Sequence, residues 1–101
     1  MLPLIETTAP TEAQMPVFMV ERNLKGISMD DLAGAQKAAI GTAGKMKAGG
    51  EDIRYIRSTF APEDGRCMCL FEGETSDQVA RLNDDAGLPY SKIVQAMDLT
   101  P

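Results

Sequence analysis

The stretch Arg66-Cys67-Met68-Cys69-Leu70-Phe71-Glu72-Gly73 is an apolar run with Pro62-Glu63-Asp64-Gly65 before it and a closing glycine at its end. A short apolar run between turn signals reads as a strand buried on both faces. Such a strand has to sit inside a sheet, so the rest of the chain must supply its neighbours and its cover. The same stretch holds both cysteines of the chain.

The neighbours are legible in order. Val17-Phe18-Met19-Val20 is apolar without alternation and reads as a second buried strand, after which Glu21-Arg22-Asn23 leaves the core. Ser28-Met29-Asp30-Asp31 is a helix start: Ser28 can cap, Asp31 stands at the capping-box position, and both aspartates suit the positive end of the helix dipole. Met29, Leu32, Ala35, Ala39, Ala43 and Met46 recur at helical spacing. Gly34, Gly41 and Gly44 weaken this helix, as a close approach to the sheet or an early end would explain, and Gly49-Gly50 stops it. The run Gly41 to Met46 imitates a phosphate loop, but Ala39 replaces its first glycine and Met46 its metal-binding hydroxyl. Ile53 to Phe60 is an edge strand kept soluble by Arg54 and Arg57. Ala61 to Gly65 is hairpin-turn chemistry that pairs Phe60 with Arg66. Thr75-Ser76-Asp77-Gln78 starts a second helix with the stripe Val79, Leu82, Ala86, ended by Gly87 and Pro89. Lys92 to Leu99 is a last strand with Ile93, Gln95, Met97 and Leu99 on one face.

The order β-α-β-β-α-β with right-handed crossovers gives an α+β, ferredoxin-like sandwich: a four-stranded antiparallel sheet with two helices on one face and the first and third strands at its centre. Residues 15–101 form this domain. Residues 1–14, with two prolines and no period, read as a disordered tail, and Met15 is a candidate alternative start. Both central strands are apolar on both faces, yet the helices cover only one. The open face calls for a second copy of the sheet, which predicts a homodimer packed face to face.

Composition narrows the function classes. The 101 residues carry 15 acidic and 10 basic side chains, a formal charge of −5, and no Trp. No basic patch or aromatic platform is available for nucleic acid. No apolar run is long enough to span a membrane, and the N-terminus lacks a signal-peptide pattern, so a cytoplasmic protein with reduced thiols is expected. The absence of histidine removes the usual general base and the commonest nitrogen ligand for nickel or zinc.

Chemistry is then restricted to two places. Cys67 and Cys69, two apart on a strand, share a face. They read as core packing, as a reactive thiol, or as ligands for a soft metal, and a disulfide between them would be strained. The expected hairpin register sets Thr59 opposite Cys67, Arg57 opposite Cys69, Tyr55 opposite Phe71 and Arg54 opposite Glu72, and an arginine beside a thiol favours thiolate. Glu21 and Glu72, expected at the same end of the two central strands, would rim a pocket with Arg22, Arg54 and Tyr90, or simply form a solvated rim. The ligand-binding candidates are therefore Glu21, Tyr55, Arg57 and Glu72, and the metal candidates Cys67 and Cys69.

Met19-Val20-Glu21-Arg22, Arg54 to Phe60, Arg66 to Glu72, Asn83 to Tyr90 and Ile93 to Pro101 together resemble a bacterial family of domains of unknown function, some members of which are described as nickel-binding proteins. The likeness covers residues 15–101. It implies a ferredoxin-like fold assembled as a dimeric α/β barrel, and a small cytoplasmic dimer that binds nickel or another soft transition metal. The two other readings are a small enzyme or ligand-binding protein with its substrate in the cavity on the sheet face, and a structural dimer without a ligand.

Overall fold

The computed structural model describes residues 15–101, so the expectation of a tail over residues 1–14 lies outside the described residues. Six elements follow in order: β1 (Val17–Asn23), α1 (Met29–Ala48), β2 (Ile53–Ala61), β3 (Arg66–Gly73), α2 (Ser76–Ala86) and β4 (Lys92–Ala96). The strands form one antiparallel sheet in the order β2-β3-β1-β4. This is the ferredoxin-like α+β arrangement.

The helix boundaries follow from local chemistry. The Ser28 hydroxyl accepts from the Asp31 N–H at 3.0 Å and so satisfies one orphan donor of α1. The Gly49 N–H closes the other end onto the Lys45 and Met46 carbonyls, both at 3.1 Å. In α2 the Thr75 hydroxyl accepts from the Gln78 N–H at 3.1 Å, and Gly87 takes the left-handed cap at φ 72°. Both helices pack on one face of the sheet. Ala39, Ala43 and Met46 of α1 and Val79 and Leu82 of α2 meet Phe18, Val20, Cys67, Cys69 and Phe71, all buried.

Three expectations need correction. β3 runs antiparallel to β1, with Val17 opposite Glu72 and Glu21 opposite Met68. The β1–α1–β2 crossover makes β2 parallel to β1, and the hairpin then reverses β3. Glu21 and Glu72 therefore sit at opposite ends of the central pair and do not share a rim. Secondly, the hairpin is one residue tighter than expected. The Gly65 N–H donates to the Ala61 carbonyl at 2.8 Å, so Ala61 pairs with Arg66, Phe60 with Cys67 and Ser58 with Cys69. A one-residue slip exchanges the faces, which turns Arg57 and Thr59 away from the cysteines. A bulge between Tyr55 and Arg57 then absorbs the extra residue and restores Tyr55 opposite Phe71 and Arg54 opposite Glu72. Thirdly, β4 stops at Ala96 and not Leu99, because Ala96 already lies opposite Val17, the first residue of β1.

The face away from the helices carries Val17, Met19, Met68 and Leu70, each half-buried. Arg57 on β2 donates to Asp98 at 2.9 Å. Since β2 and β4 are opposite edges of the sheet, the segment after β4 must turn back across this open face to make that ion pair. Met97 and Leu99 on this segment stay 76 % and 80 % exposed.

Glycine has two distinct roles in this frame. Gly65 has φ 77°, and a Cβ there would collide with the Lys25 backbone. Gly34, Gly41 and Gly44 are exposed within α1 with open space around them, so neither close approach nor helix termination explains them. Gly65→Ala is expected to lower stability by about 2 kcal/mol or more. Gly41→Ala is expected to raise it by about 0.4–1 kcal/mol. Urea denaturation of the two variants against the parent checks both signs.

Candidate functional site

The alternation that buries Phe18 and Val20 carries on to the next residue of that face, which is Arg22. It is 3 % exposed and lies opposite Cys67. Its Nη1 donates to Asn83 Oδ1 at 2.9 Å and to the Pro89 carbonyl at 3.0 Å. Asn83 in turn donates to the Val79 carbonyl of its own helix at 2.8 Å. One guanidinium thus ties the end of β1 to α2 and to the loop that follows it.

Between α1 and this part of the sheet lies a cavity of about 140 Å³. Leu24, Leu32, Ala35, Ala39, Phe60 and Leu88 make its apolar walls, and Arg22, Cys67, Cys69, Ser58, Tyr55 and Gln36 its polar lining. The polar groups are connected. Gln36 Nε2 donates to Tyr55 Oη at 2.9 Å, and Tyr55 Oη meets Ser58 Oγ at 2.6 Å. Ser58 Oγ donates to Cys69 Sγ at 2.9 Å, and Cys69 Sγ lies 3.9 Å from Cys67 Sγ. With Ser58 donating to sulfur, Tyr55 must donate to Ser58, so the hydroxyl donors all run towards Cys69. Edge-on packing of Tyr55 against Phe71, with centroids 5.5 Å apart, holds the ring in place.

The expected site residues separate onto the two faces of the sheet. Tyr55, Cys67 and Cys69 line the cavity. Glu21, Arg57 and Glu72 stand on the open face and are engaged in ion pairs there. Glu21 accepts from Arg66 at 2.8 Å and is 3.9 Å from Lys92, Glu72 pairs with Arg54 at 3.3 Å, and Arg57 pairs with Asp98. Tyr90 donates to Asp84 at 3.2 Å, apart from both carboxylates. An arginine does stand beside a thiol, but it is Arg22 beside Cys67, not Arg57 beside Cys69. Ser58, Gln36 and Asn83 are additions that only the structure supplies, and Arg22, expected on a rim with Glu21 and Glu72, lies instead in the cavity lining. The signal for Arg22 was present in the two-residue period of β1, continued past the point where polarity suggests an exit.

Burial pushes the Cys67 thiol up to about 11, with the neighbouring Cys69 adding to the rise and Arg22 opposing it. A neutral thiol is therefore the state at ordinary pH. A raised folded-state value means that the stabilisation is complete below the unfolded value, 9.0, and is lost as pH rises through about 11. Thermal unfolding of the parent is expected to weaken across that window more than that of Cys67→Ala, and the difference between the two curves isolates this thiol from other groups that titrate there.

The comparison with curated proteins gives no match. The crystal structure of SCO4226 from Streptomyces coelicolor A3(2) is similar at a TM-score of 0.70 and 24 % sequence identity, covering 83 % of this chain and 99 % of that one. At that identity the likeness establishes the ferredoxin-like fold. The family described as nickel responsive protein SCO4226-like matches residues 18–95, which is most of the described domain, and the chain belongs to that family.

Proposed function

We propose that this chain is a small homodimeric binding protein whose ligand seat is the cavity beneath α1. The observation that carries this reading is the lining itself: an apolar cavity with a buried guanidinium and two adjacent thiols, fed by a directed chain of hydrogen bonds. Ligand sites are typically apolar hollows with a few convergent polar groups, and this cavity has that character. Tyr55, Cys67 and Cys69 act there, whereas Glu21, Arg57 and Glu72 belong to the open face. Dimerisation through that face is supported by its half-buried apolar residues and by exposed Met97 and Leu99 on the segment that crosses it.

A second reading is favoured by the sulfur spacing and by the family's name. Two thiolates bound to one ion at about 2.3 Å each, in tetrahedral geometry, stand just under 4 Å apart. The 3.9 Å between Cys67 Sγ and Cys69 Sγ matches that spacing. The donor set is nevertheless incomplete for nickel. The sequence has no histidine, no group of three His, Cys, Asp or Glu side chains that could hold a metal occurs among the described residues, and the guanidinium of Arg22 repels a cation. Metal binding by Cys67 and Cys69 therefore requires further donors besides the two thiols.

Native mass spectrometry of protein purified without chelators separates these readings. A dimer that carries an organic adduct, lost on filling the cavity by Ala35→Phe, is the expected result. A metal retained by the parent and lost in Cys67→Ser/Cys69→Ser would favour the second reading. Leu70→Asp on the open face is expected to yield monomers in sedimentation without disturbing the cavity, and a parent that sediments as a monomer would overturn the dimer.

A further inference from the structure

Arg22 brings a full positive charge to a site that is 3 % exposed. Its Nη1 is used by Asn83 and Pro89, both neutral. Its Nη2 is buried and has no hydrogen-bond partner among the described residues. None of the ion pairs found among those residues includes it. A buried charge left without a counter-charge is costly, and buried polar groups are nearly always paired. The one acidic group directly opposite, Cys67, is held neutral by its own burial, so it does not answer the charge.

The space in front of Arg22 is mostly apolar, walled by Leu24, Leu32, Ala35 and Leu88. Its volume of about 140 Å³ is close to the ~150 Å³ of an apolar cavity that accepts benzene. Arg22 is the one basic residue in the lining, so the site offers one cation and not the cluster that a phosphate dianion calls for. We propose that the cavity binds a small organic carboxylate, one oxygen accepting from the Arg22 guanidinium and an apolar body of about benzene size lying between Leu32, Ala35 and Leu88. The inference rests on the cavity being the ligand seat and names the chemistry of its ligand. Gln36 of α1 lines the cavity and is exposed, which gives the ligand a way in beside that helix.

The test uses the full chain with benzoate as probe, benzyl alcohol as its neutral counterpart, and chloride and phosphate as inorganic anions. Titration calorimetry gives affinities, and amide shifts in NMR spectra give the location. Benzoate is expected to bind saturably with shifts confined to the cavity lining, about 10- to 150-fold more tightly than benzyl alcohol, the range for one hydrogen bond to a charged group. Arg22→Met is expected to erase that preference while leaving benzyl alcohol binding in place, and Ala35→Phe to abolish both. Equal binding of benzoate and benzyl alcohol would overturn the carboxylate while leaving the cavity as the seat. No binding of either probe would overturn both. Displacement of benzoate by chloride or phosphate at similar concentration would overturn the organic ligand in favour of a simple anion. The comparison of the two probes on the parent protein stands even where Arg22→Met fails to fold.

Discussion

The Arg22 guanidinium is the contact on which the functional half of this fold depends. It stands at the end of a central strand, on the side where the hydrophobic alternation of β1 calls for another apolar residue. Placed there, it joins three separate parts of the chain: β1 itself, Asn83 in α2, and Pro89 in the connection to β4. An apolar residue at that position could pack, but it would leave Asn83 Oδ1 buried without a donor, and such a loss costs about 1–3 kcal/mol. Arginine satisfies that oxygen and the Pro89 carbonyl. It does so at the expense of burying a charge whose second nitrogen has no hydrogen-bond partner among the described residues. The same residue therefore organises the helix–sheet packing and leaves a strong unmet electrostatic demand in the interior among the described residues.

Most of the fold was legible because it is written in short-range chemistry. Ser28 and Thr75 cap as their neighbours dictate, Gly49 and Gly87 end the helices, and the two apolar runs form the central strands. The site was less legible because it depends on register, and register is set at a turn. Sequence alone does not say whether Ala61 belongs to the loop or to β2. The Gly65-to-Ala61 hydrogen bond settles that, and the choice decides whether Arg57 or Ser58 faces Cys69. The bulge after Tyr55 adds a second hidden step. It leaves Tyr55 and Ser58, three residues apart, on the same side of the strand, where a regular strand would set them on opposite sides. Without it their hydroxyls would not meet at 2.6 Å. Arg22 was hidden for another reason. A charged residue next to Glu21 and Asn23 reads as part of a polar exit, and only the strand's two-residue period separates it from them.

The sheet divides its work between its faces. On the open face every charged residue singled out from the sequence is engaged with an opposite charge, and the pairs surround a band of half-buried apolar side chains. Exposed ion pairs of this kind contribute little to stability, about 0–1 kcal/mol each. In the proposed dimer their use would be to fix where the partner surface lies, since a shifted docking would leave like charges facing each other. On the helix face the polar groups form a connected network with no carboxylate in the cavity lining. That contrast separates a surface fit for assembly from an interior fit for a ligand.

The cavity has an energetic signature. Unfilled volume in a protein core forfeits about 24 cal/mol per Å³. Over about 140 Å³ that comes to roughly 3 kcal/mol, an upper bound for a cavity with an opening. Natural domains have only about 5–15 kcal/mol of net stability, so the loss is not small. A modest change of sequence would recover much of it. Ala35 and Ala39 of α1 both line the cavity, and larger apolar side chains at helical spacing would pack as well against Phe60 and Leu88. The small residues keep the hollow open beside a buried cation that itself lacks a partner. Two separate sacrifices of stability at one place, a hollow and an unpaired charge, would be relieved together by the proposed carboxylate, which would fill the first and neutralise the second. Neither is accounted for by packing alone.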